Sequence, residues 1–455
     1  MDKTSSVGKV SNNIAYRSVD SRSVGESGGS NSSSPSTQRG KDHSLTFDFI
    51  LWLGQLQDPN CISLLHASQG LAPTLRAHVK RCSIIAWHTP NAEMSGLASG
   101  NDPRAQDLLG AIFRLVEQLP NLLHIYMRSL IVPGSVYQYL RSSDVESLSV
   151  LFCDFRAVTN IGLVPQTGFT QLRQVSLNDV WWDSRTFAFD DFICAPRLRA
   201  VNLRHTSDFI SPIPVCSQPS SATDLAFYIP GRYSVLDSFM ELFHNVTELS
   251  VDWDDPSIAL DIPSDVFPRL RDFQGPFSPA SALFVRGRPV HDLKLYYRES
   301  FLIDICLAQS LDQSLQNATA ALHTLSLRGF TLDDLAIILP GLAQSLRVVR
   351  AFSLLSSDDS TAIETFRWLT AEHRTLFPRL ESLVMGNEMP VGLFERSVEC
   401  DPDHDLYLAE SWGVASPSLR SIALPGGTFE SSAANIWQWT TQRSSRQEWR
   451  SWRRL

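Results

Sequence analysis

FTQLRQVSLNDV, residues 169–180, is the stretch that decides how this chain is read. Leu172, Val175 and Leu177 stand at the spacing L-x-x-L-x-L, and the last pair alternates as the buried side of a strand must. The chain repeats the pattern. APRLRAVNL (195–203), FPRLRDF (267–273), ALHTLSL (321–327), FPRLESLVM (377–385) and SPSLRSIAL (416–424) are clear copies. Weaker ones are LPNLLHI (119–125), VESLSV (145–150), VTELSV (246–251) and VHDLKL (290–295). Aligned on their second apolar position, several copies lie 20–27 residues apart, as in 148 to 175, 175 to 201, 249 to 273 and 273 to 293. The interval 201–249 is twice 24, with the fragment DLAF (224–227) at its middle, and 325–383 has room for one more copy near 346–352. A period of 20–29 residues is that of leucine-rich repeats, in which each unit buries its apolar face only against its neighbours.

Helix-like runs lie between the strands: Val235–Phe243, Phe301–Leu311, Leu332–Leu342 and Thr361–Leu376. Asp333 and Asp334 suit the positive end of the third. The Asn that would bond the turn after each strand is mostly missing, so the repeats are degenerate. The fold class expected is therefore α/β: a leucine-rich-repeat-like solenoid over 81–430, with a patternless polar insertion at 386–415. Residues 1–44, rich in Ser, are expected to be disordered because they cannot bury enough apolar surface to offset ordering entropy. Residues 431–455 form an Arg/Trp-rich cap or tail with Trp437, Trp439, Trp449 and Trp452.

Composition narrows the function classes. The chain has 455 residues, too many for one ordinary core but suited to an array. Its formal net charge of −9 argues against a dedicated nucleic-acid binder. The seven cysteines are scattered, without a C-x-x-C pair, and read as reduced thiols of a cytoplasmic or nuclear protein. The start lacks the apolar run of a signal peptide, and no stretch is apolar enough to span a membrane. Asn31, Asn245 and Asn317 head N-x-S/T triplets that, without a secretory signal, are chance matches.

The chemical motifs dissolve one by one. Gly25–Gly29 reads G-x-S-x-G but lacks the strand and helix that a nucleophile elbow needs. ECDPDHD (399–405) gathers metal-ligand residue types without a zinc spacing or a calcium-loop pattern, and reads as a solvated acidic loop. No phosphate-binding glycine loop occurs. No catalytic residue, metal or cofactor is expected, and the chain reads as a non-enzyme.

One stretch carries a family likeness. In LTFDFILWLGQLQDPNCISLLHAS (45–68), Leu45, Phe49, Trp52, Leu53 and Leu56 recur at three- and four-residue steps, Asp58-Pro59 breaks the run, and a Leu-rich segment follows. With LAPTLRAHVKRCSII, a loop, a helix-like run at 107–118 and LPNLLHI after it, this order resembles fungal F-box proteins with degenerate leucine-rich repeats. The matching residues are Leu45, Asp48, Ile50, Leu51, Leu53, Leu56, Leu64 and Leu65; the family's usual Pro is Thr46 here. The resemblance implies a helical F-box-like segment at 45–80. Leu45, Asp48, Ile50, Leu51, Leu53 and Leu56 would bind the adaptor subunit of a cullin-RING (SCF-type) ubiquitin ligase, and the repeats would hold a protein substrate for degradation. The alternative is a leucine-rich-repeat interaction scaffold without ligase docking, with Thr46 as its mark.

On the repeats, the residue between the last two apolar positions and the one after them point away from the core. The candidates for substrate binding are thus Tyr126, Arg128, Ser176, Asn178, Asn202, Arg204, Asp252, Lys294, Tyr296 and Arg328, with Ser149, Ser250 and Ser326 in equivalent places. Tyr and Arg are residue types enriched where proteins meet.

Overall fold

The computed structural model of the chain describes residues 45–52, 76–87, 103–132, 134–155, 169–181, 192–204, 219–229, 240–253, 262–263, 265–300, 302–356, 359–387, 402–425, 427–431 and 436–441. They divide into two compact units that part at Leu198 and Arg199. Every copy of the L-x-x-L-x-L stretch ends in a short strand, and within each unit these strands lie side by side in chain order. The class is α/β, a mostly parallel open sheet whose strands alternate with helices.

The first unit holds β1 (Leu45–Trp52), β2 (Val79–Trp87), β3 (His124–Arg128), β4 (Ser147–Leu151) and β5 (Gln174–Asn178), with helices α1 (Pro103–Val116) and α2 (Gly134–Ser142) between them. All its ladders are parallel. Two apolar rows run across the strands on one face: Cys82, Ile125, Leu148 and Val175, then Ile84, Met127, Val150 and Leu177. Each of these side chains is at most 2% exposed, which makes the rows the unit's core. The residue after each of β3, β4 and β5 (Ser129, Phe152 and Asp179) has a positive φ, so the same left-handed turn closes three successive copies.

The second unit begins with β6 (Ala200–Arg204), β7 (Asp224–Tyr228), β8 (Glu248–Asp252) and β9 (Asp272–Pro276). Then come α3 (Pro279–Val285), β10 (Asp292–Tyr296), α4 (Ile305–Gln316), β11 (Thr324–Arg328), α5 (Leu332–Gly341), α6 (Ala343–Leu346) and β12 (Ala351–Ser356). It ends with α7 (Asp359–Glu372), β13 (Ser382–Asn387), α8 (Pro402–Ala415), β14 (Ser421–Leu424), β15 (Gly427–Ser431) and β16 (Trp437–Thr441). One apolar row joins Val201, Leu225, Leu249, Phe273, Leu293, Leu325, Phe352, Leu383 and Ile422 in register. The fragment DLAF is β7, and the copy expected near 346–352 is β12.

A backbone staircase does what the missing Asn does not. The carbonyls of Arg199, Thr223, Thr247, Arg271, His291, His323 and Arg350 each accept two successive amides from the next copy, at 2.6–3.1 Å. The first apolar residue of the motif, from Leu122 through Leu172 and Leu270 to Leu419, is buried in every described copy. Helices α3, α4 and α5 pack in sequence, and Gly341 permits the closest approach, since a Cβ there would collide with Ala308.

Three segments differ from the sequence reading. Leu45–Trp52, whose three-and-four spacing predicts a helix, is strand β1, paired in parallel with β2. The octet LTFDFILW is short, aromatic and β-branched, a run for which periodicity does not separate strand from helix, and the β2 edge completes its backbone bonding. Residues 53–75 of the F-box-like segment, with Leu53, Leu56, Leu64 and Leu65, lie outside the described residues, as do residues 1–44, and its end at Val79 and Lys80 opens β2. Second, the supposed polar insertion contains α8. Its inner side carries Asp405, Ala409 and Trp412, all buried, but only one of these is a large apolar residue, so no periodicity shows. Trp412 donates its indole N–H to Thr370 Oγ1 at 2.7 Å, and Asp405 pairs with Arg367 at 3.3 Å, so the end of ECDPDHD is packed rather than solvated. Third, the Arg/Trp-rich end contributes β16, which with β15 reverses the sheet to antiparallel pairing. Gly427 is required beneath the Trp439 ring, where any Cβ would collide.

Candidate binding face

A strand in a half-covered sheet sends alternate residues to opposite faces. The observed burial follows that rule: β4 reads intermediate, buried, intermediate, buried, intermediate, and β5, β6, β8 and β10 alternate likewise. Within each unit, the candidates chosen from the sequence therefore lie on the face opposite that unit's apolar rows.

In the first unit, Tyr126 of β3, Ser149 of β4 and Ser176 of β5 are register partners, continuous with Ser83 of β2. One row on lie Arg128, Leu151 and Asn178, preceded by Ile85. In the second unit, Asn202, Ala226, Ser250, Gln274, Lys294, Ser326 and Ser353 form one row. Ser326 is only 3% exposed and accepts a hydrogen bond from the Ser353 hydroxyl at 2.8 Å, so it belongs to the sheet's own bonding. The amide oxygens of Asn178 and Asn202 are buried and, among the described residues, have no hydrogen-bond partner. Arg204 ends β6 and Arg328 ends β11.

Two candidates 44 positions apart are brought into contact. Tyr296 O–H donates to Asp252 Oδ1 at 2.7 Å and lies 3.1 Å from the Val251 carbonyl. Between them in the sheet is β9, which at this level ends in Gly275 and Pro276, so Tyr296 crosses a place without a long side chain. Arg298 completes the group: it forms an ion pair with Asp252 and places its guanidinium 5.9 Å from the Tyr296 ring. Burial, and then the Asp252 charge, raise the Tyr296 phenol above its usual range. Sequence reasoning passed over Arg298, although 294, 296 and 298 continue one two-residue step.

It also missed a row of acids. Asp224, Glu248, Asp272 and Asp292 open four consecutive strands and are register partners through three ladders. The signal was a D or E directly before the first strand apolar in TDLAF, TELSV, RDFQG and HDLKL. Burial and the neighbouring Glu248 raise Asp224. Burial, a hydrogen bond with Asp292 and the charges of Asp292 and Glu248 push Asp272 up to about 7, while Asp292, held by hydrogen bonds from Asp272 and Thr324, lies below its ordinary value despite burial.

Of the adaptor-binding candidates, Leu45, Asp48, Ile50 and Leu51 lie on β1. Among the described residues, no group of three or more His, Cys, Asp or Glu is placed to hold a metal, and no helix is long and apolar enough to cross a membrane. Comparison with known proteins finds no family model that matches the chain and no curated protein that matches it in sequence.

Proposed function

We propose that this protein is a leucine-rich-repeat-like recognition subunit, without catalytic residues or a cofactor, that binds a protein partner on the exposed face of its strands. The observation that carries the reading is the in-register ladder, which gives each copy two or three outward side chains on a rigid backbone. Preorganised Tyr and Arg side chains cost little entropy to dock. In the finer form implied by the F-box resemblance, the partner is a substrate of a cullin-RING ubiquitin ligase in the cytoplasm or nucleus, and the segment around Leu53 and Leu56 docks the adaptor. The chain then acts by proximity alone.

The second reading, a scaffold without ligase docking, is favoured by β1: the residues of the first expected docking helix are committed to a ladder with β2. Affinity capture with the purified adaptor separates the two. Retention by the intact chain, lost in a Leu53→Asp/Leu56→Asp variant, supports the ligase form. Failure of the intact chain to retain the adaptor leaves the scaffold. The shared part is tested with the captured partner itself: Tyr126→Ala and Arg328→Ala should weaken its binding, and unchanged affinity in both variants would place recognition elsewhere.

A further inference from the structure

Helices that flank a sheet turn polar residues to water and apolar ones inward, and α4 and α7 follow the rule. Beyond its first turn α4 exposes Gln309, Ser310, Gln313 and Gln316, and α7 exposes Glu364, Arg367, Ala371 and Glu372. Helix α8 does not. Its inner side is packed by Asp405, Ala409 and Trp412, yet Tyr407 on the other side is 72% exposed and Val414 is 84% exposed. These two lie seven positions apart, two turns along one stripe. Glu410, also exposed, adjoins both at steps of three and four. Apolar side chains on both sides are the pattern of a helix covered on both sides. Helix α8 packs against α7 and β16, and no helix follows it among the described residues. The end of an array needs a cover that its interior does not.

The chain itself brings a cover to this place. At Gly413, three positions from Glu410, a Cβ would stand 3.0 Å from the Trp437 indole, so β16 begins against the helix. Strand β16 ends at Thr441, four residues and about 14 Å further on. Residues 442–455, QRSSRQEWRSWRRL, come next and hold five Arg, one Glu and two Trp. The eight residues from Thr441 to Trp449 reach up to about 28 Å, enough to double back along β16 to α8. The segment's charge is opposite to that of Glu410. Its indoles offer large flat surfaces that stack on Tyr407 and cover Val414.

We infer that residues 442–455 turn back over the outer side of α8, with the indoles of Trp449 and Trp452 on Tyr407 and Val414 and an Arg paired with Glu410. The occupant of the apolar stripe is thus the chain's own C-terminal segment, which caps the end of the second unit.

Trypsin tests this directly, because it cuts after Arg. Brief digestion of the full chain is followed by mass spectrometry of the C-terminal end. Cutting after Arg446 and Arg450 should be about tenfold slower than in a free peptide of residues 442–455. Tyr407→Ser/Val414→Ser should bring the rate to that of the peptide, and Glu410→Gln should raise it part of the way. Leu302→Ser, at an exposed apolar position before α4, should change nothing. The substituted side chains are exposed, so an unaltered circular dichroism spectrum verifies that the variants are folded. Trp449→Ser/Trp452→Ser, which leaves the packed unit untouched, should also be cut as fast as a peptide of its own sequence. Cutting of the wild-type chain at the peptide's rate overturns the inference, as does protection that persists in both double variants. Protection that fades on dilution overturns it too, since a second copy of the chain would then cover α8.

Discussion

Asp272 shows how much one residue's surroundings can change its chemistry. Its ordinary value is 3.8 and its value in the fold is about 7, so between those points the folded chain holds a proton that the unfolded chain has lost. Its contribution to stability is fully present below about pH 4 and is lost as pH rises through about 7. The charged groups facing it are Asp292, Glu248 and Lys294, and His291 acts on its partner Asp292. Asp272→Asn, which still donates to Asp292, should therefore melt above the wild type at about pH 8, with the gap closing toward pH 5; a gap that widens on acidification would contradict this protonation. Arg288 is the other telling residue. It is 1% exposed and donates to the carbonyls of Pro263, Val266, Leu283, Phe284 and Arg286, sewing the loop before β9 to the end of α3. Burial lowers its guanidinium to about 10. Arg288→Ala strands several of those carbonyls and should cost about 3 kcal/mol in urea unfolding. Arg288→Lys should recover little, because one ammonium cannot reach the same set. Nothing in the local sequence RGRPV marks this role; only burial among carbonyls does.

At the scale of the element, local chemistry and packing can be told apart. Helix α5 opens with a capping box: the Thr331 side chain accepts from the Asp334 amide at 3.2 Å, and the Asp334 carboxylate accepts from the Thr331 amide at 2.9 Å. That start was legible from Thr331 and Asp334 alone. Thr331→Ala should cost about 1 kcal/mol by thermal unfolding, and a loss within error would show that α5 is held by packing only. Strand β5 tests the alternation. Leu177 is 1% exposed in the apolar row, so Leu177→Ala should cost about 2–5 kcal/mol. Ser176→Ala, on the other face, should cost under about 0.5 kcal/mol, and equal effects would refute the strand's orientation. Short α6 depends on tertiary contact instead. Asp312 of α4 accepts the Ser345 amide at 2.8 Å and the Gln316 side-chain amide at 2.6 Å, giving a four-residue helix the cap that its own sequence lacks.

Over the whole of the second unit, each strand bonds only to the strands of adjacent copies, so stability is expected to be a sum of copies and their junctions. A core deletion near one end should then loosen that end first. Ile422→Ala, at a fully buried position on β14, should speed amide hydrogen exchange in β13–β16 and leave β7–β10 protected. Uniform acceleration would mean that the unit unfolds as a single cooperative block.

The sequence by itself determined the ladder. The spacing L-x-x-L-x-L is local, repeated and apolar, and the same alternation that buries Val175 and Leu177 must turn Ser176 outward. Even the faint DLAF found its place as β7, because its neighbours on both sides set the register. Tertiary structure decided what depends on juxtaposition. Leu45–Trp52 became a strand because an edge at β2 was free to complete its backbone bonds. Pro402–Ala415 became a helix because Trp412 and Asp405 found buried partners in Thr370 and Arg367. The contact of Asp252 with Tyr296, and the alignment of four acids from four separate copies, exist only once the copies are laid in register. Periodicity sets which way a side chain faces, but across some forty residues of chain only the folded sheet sets what it meets.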